Sequence, residues 1–119
     1  MLFRSLAQSD AAAMRQAAVL RRIEAEIASL YQRASAAADA WQQTSLAARG
    51  LERNAALTAR AYEAGEASFP DVLAARRLAQ EAAINRSAAA LEALELRYRL
   101  MLDAHQLWPL DDDAGEHAH

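Results

Sequence analysis

Apolar and small residues recur in steps of three and four along the first half of the chain. The row consists of Val19, Ile23, Ile27, Leu30, Ala34, Ala37, Trp41, Thr44, Ala48, Leu51, Ala55, Thr58 and Tyr62. From Ile23 on, the steps average about 3.5 residues, which is the period of a coiled coil rather than of a straight helix. No proline interrupts residues 9–62, so the pattern predicts one helix over that range, with residues 1–8 frayed. At ~1.5 Å per residue this helix would be about 80 Å long.

A second row with the same period begins after residue 69. It consists of Leu73, Arg76, Gln80, Ala83, Ser87, Leu91, Leu94, Tyr98, Met101, His105 and Trp108. We therefore predict a second helix over residues 69–108, about 60 Å long, with this row as its packing seam. The helix should end before Pro109, because the residue that precedes a proline is disfavoured in the α region. Residues 111–119, which are acidic and end with two histidines, are predicted to be a disordered tail.

A stop signal and a start signal for helices lie side by side at residues 63–68. Gly65 enters the left-handed region at no steric cost and suits the position just past a helix end. Ser68 and Asp71 have the spacing of a capping box, with Asp in place of Glu. Pro70 fits a first helical turn, where no backbone N–H is needed. So short a connection between long helices predicts an all-α antiparallel hairpin with a sharp tip.

The composition indicates how such a rod would pack. The chain contains 33 alanines against three glycines and two prolines. Alanine favours helix and lets two helices approach closely, but each alanine buries little area. Trp41 and Trp108 are the bulkiest residues of the two rows and are expected to be packing anchors. Because the first helix is the longer one, its early aliphatic third has no partner in the chain. Two such helices are marginal alone, so the sequence predicts part of a larger helical assembly.

Charge and residue types exclude several functions. The net charge is −3 with mixed signs, which argues against a nucleic-acid partner. The absence of cysteine excludes disulfides and thiolate metal sites. No apolar run approaches the ~20 residues of a membrane-spanning helix. No Ser/His/Asp set, glycine-rich phosphate loop or paired-carboxylate cleft stands out, so we predict neither an enzyme nor a cofactor.

The candidate metal ligands have plainer interpretations. His105 lies on the predicted seam and is expected to be a buried, hydrogen-bonded histidine rather than a ligand. Glu116, His117 and His119 carry donor groups that suit zinc. A flexible tail lacks the surrounding contacts that orient a ligand set, so no metal site is predicted.

Charged residues flank the turn on both sides. They are Arg60, Glu63, Glu66, Asp71, Arg76 and Arg77. One interpretation is a ring of charge that gates the mouth of a channel. We favour a solvated helix surface with weak ion pairs, because exposed pairs contribute little.

The residues around the turn resemble a known family. The pattern Tyr62-x-x-Gly65-x-x-Ser68-x-x-Asp71-Val72-Leu73-x-Ala75-Arg76, followed by an alanine-rich helix, resembles the TolC family of outer-membrane efflux proteins. The segment over residues 96–108, Leu-Arg-Tyr-Arg-Leu-Met-Leu-Asp-Ala-His-Gln-Leu-Trp, is similar to its CzcC-type branch, which serves cobalt, zinc and cadmium resistance. The resemblance covers residues 9–110.

The resemblance implies a function as a passive export duct. In that family each protomer carries two such hairpins, and three protomers form a trimeric α-helical barrel in the periplasm. The membrane contact is made by a β-barrel, which this sequence would lack, so the chain would be a periplasmic fragment from the second half of an outer-membrane protein. Its partners would be a periplasmic adaptor protein and an inner-membrane pump that exports heavy-metal cations.

The resemblance also implies an adaptor-binding tip. The implied contact residues are Tyr62, Ala64, Gly65, Glu66, Ala67 and Ser68. A plainer interpretation of Gly65 is that it only terminates the first helix, and both roles are compatible. From the residues alone, a second function stays open: a free-standing coiled-coil scaffold or adaptor that self-associates into a helical bundle.

Overall fold

The chain forms an antiparallel helical hairpin in a computed structural model that describes residues 2–107. Helix α1 spans Leu2–Glu63 and helix α2 spans Phe69–Leu107. The described residues contain no strand, and the long axis of the molecule measures 94 Å. The predicted all-α hairpin and its turn are therefore confirmed. The predicted end of the second helix at Trp108 and the tail at residues 111–119 lie outside the described residues.

Helix α1 begins at Leu2, seven residues before the predicted start. The expected fraying is wrong for residues 2–8, because nothing in Leu-Phe-Arg-Ser-Leu-Ala-Gln interrupts a helix. Neither glycine nor proline occurs there, and the alanine-rich segment that follows continues the helix with favourable propensity.

The two helices meet along a thin seam. Near the end opposite the turn, Leu30 and Ala37 of α1 pack with Leu96 of α2, with Ala34 and Leu100 partly buried against them. Midway along the hairpin, Ala48 is completely buried, with a relative exposure of 0%. Alanine at these positions lets the two backbones come close, which a larger side chain would prevent.

The predicted seam of α1 is confirmed along most of its length. Leu30, Ala37 and Ala48 are buried, and the other members from Ile23 to Thr58, apart from one, are half-buried. The exception is Trp41, which is 46% exposed, so its expected role as a packing anchor is wrong. Its indole is too large to fit between helices that approach at alanines on either side.

The predicted seam of α2 is wrong by one or two positions along the helix. The row that faces α1 is buried or half-buried and consists of Val72, Ala75, Ala79, Ala82, Arg86, Ala89, Ala93, Leu96, Leu100 and Asp103. The predicted row, except for the half-buried Ala83, is exposed over its described members. The prediction followed the face with the bulky residues, whereas close approach selects the alanine face. His105 is exposed, so the expectation of a buried histidine is also wrong.

Hydroxyl side chains inside the helices are satisfied locally. The hydroxyls of Thr44, Thr58 and Ser87 donate to the carbonyl oxygens of the residues four positions earlier, at 2.9, 2.8 and 3.1 Å. Such bonds within one helix need no partner across the seam. Half-buried threonines are therefore accommodated at the contact without unpaired polar groups.

Candidate docking site at the turn

The end of α1 is closed by a Schellman motif around Gly65. The Glu66 N–H donates to the Ala61 carbonyl oxygen at 2.7 Å, and the Gly65 N–H donates to the Tyr62 carbonyl oxygen at 3.0 Å. Counting Ala61 as position one, the first bond joins positions six and one and the second joins positions five and two. These two bonds define the motif. Gly65 has a φ of 78°, the only positive φ among the described residues.

Glycine is required at this position for its backbone angle rather than for space. A Cβ on Gly65 would have no neighbouring atom within 4 Å. Any other residue would therefore fit sterically into its surroundings but would be strained by the left-handed φ. The interpretation of Gly65 as a helix terminator is thus sufficient to explain the glycine.

The start of α2 is closed by the predicted capping box. The Asp71 N–H donates to the Ser68 Oγ at 3.3 Å, and the Ser68 N–H donates to the Asp71 Oδ2 at 3.1 Å. The Ser68 hydroxyl, and after it the Ser68 backbone N–H, hold the pKa of the Asp71 carboxyl below its ordinary value of 3.8. The carboxylate also lies at the positive end of the α2 dipole. Both helix ends at the turn are therefore fixed by their own hydrogen bonds.

An aromatic pair bridges the turn. The rings of Tyr62, at the end of α1, and Phe69, the first residue of α2, have centroids 5.9 Å apart and planes inclined at 53°. Such tilted pairs stabilise beyond the area that they bury. The predicted contact set does not include Phe69, although an aromatic residue on each side of a short turn is a signal that such a pair can form. The pair remains about half exposed, with 46% for Tyr62 and 56% for Phe69.

All six predicted contact residues lie together at this end of the rod. Tyr62, Ala64, Gly65, Glu66 and Ser68 are exposed, whereas Ala67 is half-buried. The surface that the turn offers is therefore made of backbone, small side chains, one carboxylate and the Tyr62–Phe69 pair. These groups include no cluster of reactive side chains.

The charged residues around the turn are all exposed. This agrees with the solvated-surface interpretation for Arg60, Glu63, Glu66, Arg76 and Arg77. Asp71 differs from them, because its carboxylate accepts a hydrogen bond from Ser68. Asp71 therefore acts as a helix cap.

The other features considered from the sequence were metal ligands, membrane-spanning segments and Trp108. Within residues 2–107, no three His, Cys, Asp or Glu side chains come together as a metal site. No helix in that part of the chain is long and apolar enough to cross a membrane. Glu116, His117, His119 and Trp108 lie outside the described residues.

Comparison of the chain with protein-family models, with curated proteins and with solved structures finds no match. The likeness of residues 62–76 to the TolC family therefore remains a prediction from the sequence.

Proposed function

We propose that the chain is a wall-forming hairpin of an outer-membrane export duct, whose exposed turn docks a periplasmic adaptor protein. The observation that carries the proposal is the turn itself. It lies at the end of a long double helix, it is exposed, and its conformation is fixed by a Schellman motif, a capping box and the Tyr62–Phe69 pair. A surface that is already ordered loses little entropy when a partner binds.

The two faces of α2 support a role in a wall. One face packs against α1 and consists of the alanine-rich row from Val72 to Asp103 described above. The opposite side carries a second apolar row, the α2 outer stripe, which consists of Leu73, Ile84, Leu91, Leu94, Tyr98 and Met101. At 3.5 residues per turn the two rows lie roughly 150° apart around the helix axis. A helix with apolar faces on nearly opposite sides packs between two neighbours, which is what a wall of side-by-side helices requires.

The work of such a hairpin is passive. It closes part of a tunnel, holds the turn at a fixed distance from the membrane and receives the helical ends of the adaptor. Three protomers would complete the tunnel, and an inner-membrane pump would supply the energy. The likeness of residues 96–108 to the CzcC-type branch favours heavy-metal cations as the exported substrate.

The turn is tested by Ala64→Glu in the full-length protein, expressed with its adaptor and pump. Ala64 is exposed, so the added carboxylate leaves the helices intact while it changes the contact surface. We expect lost cross-linking to the adaptor and lost metal tolerance, with unchanged helix content by circular dichroism. Ala56→Glu, an exposed alanine of α1 about two helical turns away, is the matched control and should retain both activities. Normal cross-linking and tolerance in Ala64→Glu would refute the docking role.

The second function left open by the sequence, a self-associating scaffold, is favoured by the exposure of the α2 outer stripe. A scaffold would bind its partner along the flank, so it predicts lost binding in Leu94→Glu and normal binding in Ala64→Glu. Because the wall of a duct would use the same stripe, Ala64→Glu is the variant that separates the two functions.

A further inference from the structure

The beginning of α1 extends past Leu107, the last described residue of α2. We call residues 2–22 the α1 arm. All of its side chains are exposed apart from the half-buried Ala11. Its large apolar side chains are between 52% and 88% exposed and consist of Leu2, Phe3, Leu6, Met14, Val19 and Leu20. An arm of this length measures about 30 Å.

The apolar face of the arm continues the seam that α2 covers further along. Leu20 lies three residues before Ile23, and Leu6 and Leu2 lie at the far end of the same row. The positions between Leu20 and Leu6 hold Gln16, Ala13 and Ser9. These are steps of the same coiled-coil row. The face that packs against α2 over the hairpin therefore runs on, uncovered by any described residue, to the end of the arm.

The α2 outer stripe is the second uncovered apolar face, and it is densest next to the arm. Leu91, Leu94, Tyr98 and Met101 follow one another in steps of three and four and are 51% to 68% exposed. They lie on the side of α2 that faces away from α1. The arm of the same chain runs on from α1 past the end of α2, so it does not lie on this stripe.

The arm and the base of the hairpin carry opposite charge. The arm has four arginines and one aspartate, a net charge of +3. The base of the hairpin, residues 24–40 and 91–105, has six acidic residues and three arginines, a net charge of −3. Of the six acidic residues, Glu24, Glu26 and Asp39 lie on α1, and Asp103 faces α1. The charge therefore draws the arm toward the base of a partner as a whole and disfavours arm against arm, while the apolar contact selects the stripe.

We propose that two copies of the chain pair reciprocally, each placing its α1 arm along the α2 outer stripe of its partner. The two-fold axis passes close to the junction of arm and hairpin, so the two α1 helices run in opposite directions. At each end of the dimer three helices then lie side by side: α1 and α2 of one copy, and the arm of the other. The contact is isologous and closes at two copies.

The dimensions and side-chain sizes agree with this pairing. An arm of about 30 Å covers the stripe from near the end of α2 to beyond Leu91. The middle of the arm's seam is small, with Ser9 and Ala13, and it lies level with the bulky Leu94 and Tyr98 of the partner. Because the contact occurs twice, each copy contributes both an arm and a stripe to the interface. The number of interface residues per copy then approaches the roughly 20–30 that a stable interface has.

This pairing does not rest on the proposed function, because it uses the end of the hairpin opposite to the turn. In an assembled wall, neighbouring helices would cover the same two faces instead. The reciprocal dimer is therefore the state of the 119-residue chain when no such neighbours are present.

Sedimentation equilibrium of the whole chain tests the pairing. We expect a dimer of twice the 13.0 kDa chain mass at micromolar concentration, weakened by added salt. Leu6→Glu in the arm and Leu94→Glu in the stripe should each raise the dimer dissociation constant at least ~30-fold, as loss of a central apolar contact does. Leu46→Glu, at a position that is 59% exposed in the middle of α1, is the matched control and should leave it unchanged. A monomer up to ~100 μM, or an equal loss in Leu46→Glu, would overturn the proposal.

A single spin label fixes the arrangement of the two copies. The chain has no cysteine, so Gln8→Cys, at an exposed position of the arm that lies off the seam, provides a unique attachment site. In the reciprocal dimer the two labels should lie about 40 Å apart, because each arm points away from the other at ~1.5 Å per residue from the axis. Distances below ~20 Å would indicate parallel arms and would contradict the pairing. Ala64→Glu, which tests the adaptor contact, should leave both the mass and this distance unchanged, so failure of one proposal is visible separately from failure of the other.

Discussion

Ser68 and Asp71 cap the first turn of α2 reciprocally, each backbone N–H donating to the side chain of the other at 3.1 and 3.3 Å. The same two residues therefore end the turn and begin the helix. Since Asp71 is fully solvent-exposed, the cap depends on the charge and hydrogen bonds of its carboxylate rather than on burial.

The cap makes the stability of the hairpin dependent on pH. The folded-state pKa of Asp71 lies below the ordinary value of 3.8. Its contribution is therefore fully present above that value and is lost as the pH falls through the folded-state pKa. We expect Asp71→Asn to be less stable than the unchanged chain at about pH 6, and the difference to shrink as the pH falls through the folded-state pKa of Asp71. Urea unfolding followed by circular dichroism over a series of acidic pH values measures it, and a difference that does not shrink in acid would contradict the assignment.

Gly65 and Gly50 should respond oppositely to alanine. Gly65→Ala forces a Cβ into a left-handed backbone with φ of 78°, at a cost of about 1–2 kcal/mol. Gly50 lies inside α1, and a Cβ at that position would meet no neighbouring atom within 4 Å, so Gly50→Ala should stabilise by about 0.5–1 kcal/mol. Thermal unfolding of both variants gives the comparison. If both substitutions stabilised the chain, the backbone at Gly65 would have to adopt another conformation, and the left-handed φ would not be required.

Val72 and Leu73 are adjacent but lie on different faces of α2. Val72 is 5% exposed and packs toward α1, whereas Leu73 is 49% exposed on the outer stripe. Val72→Ala should therefore lower the free energy of unfolding by about 1–2 kcal/mol, and Leu73→Ala by less than about 0.5 kcal/mol. Leu73→Ala removes more side-chain atoms than Val72→Ala does. A larger loss of stability in Val72→Ala would therefore reflect the burial of Val72 rather than the size of the side chain removed. The reverse order, measured by urea unfolding, would support the row that the sequence predicted.

The Tyr62–Phe69 pair can be measured by a double-mutant cycle. Tyr62→Leu, Phe69→Leu and the combined variant should give a coupling free energy of about 0.5–1.5 kcal/mol. Leucine retains much of the apolar contact, so the coupling reports the ring–ring interaction. A coupling near zero in denaturant unfolding would mean that the rings are neighbours without stabilising the turn.

The turn could be predicted from the sequence because each signal in it has one structural meaning. Gly65 supplies a backbone angle that other residues avoid, and the spacing of Ser68 and Asp71 matches a capping box. The α1 seam was predictable for a related reason. Ile23, Ile27 and Leu30 are large, and only one face of a helix contains all three.

The seam of α2 could not be predicted because alanine occurs on several faces of that helix. A row of alanines carries no sign of whether it is buried, whereas Leu91, Leu94 and Tyr98 form a conspicuous row that the single chain leaves exposed. Which face packs is decided by how closely the two backbones approach, and this depends on both helices together. The contact between Tyr62 and Phe69 depends likewise on the path of the turn, which the sequence specifies only in part.

The thin seam has a calorimetric consequence. The buried apolar residues of the described chain are Leu30, Ala37, Ala48, Val72, Ala75, Ala82 and Leu96, and four of the seven are alanines. Unfolding the hairpin alone therefore exposes little new apolar surface, so its heat-capacity increment and its denaturant m-value should both be small for its length. A sharp, cooperative transition would require the large exposed side chains to be covered first. For this chain, the heat capacity of unfolding is thus a measure of how many neighbours each helix has acquired.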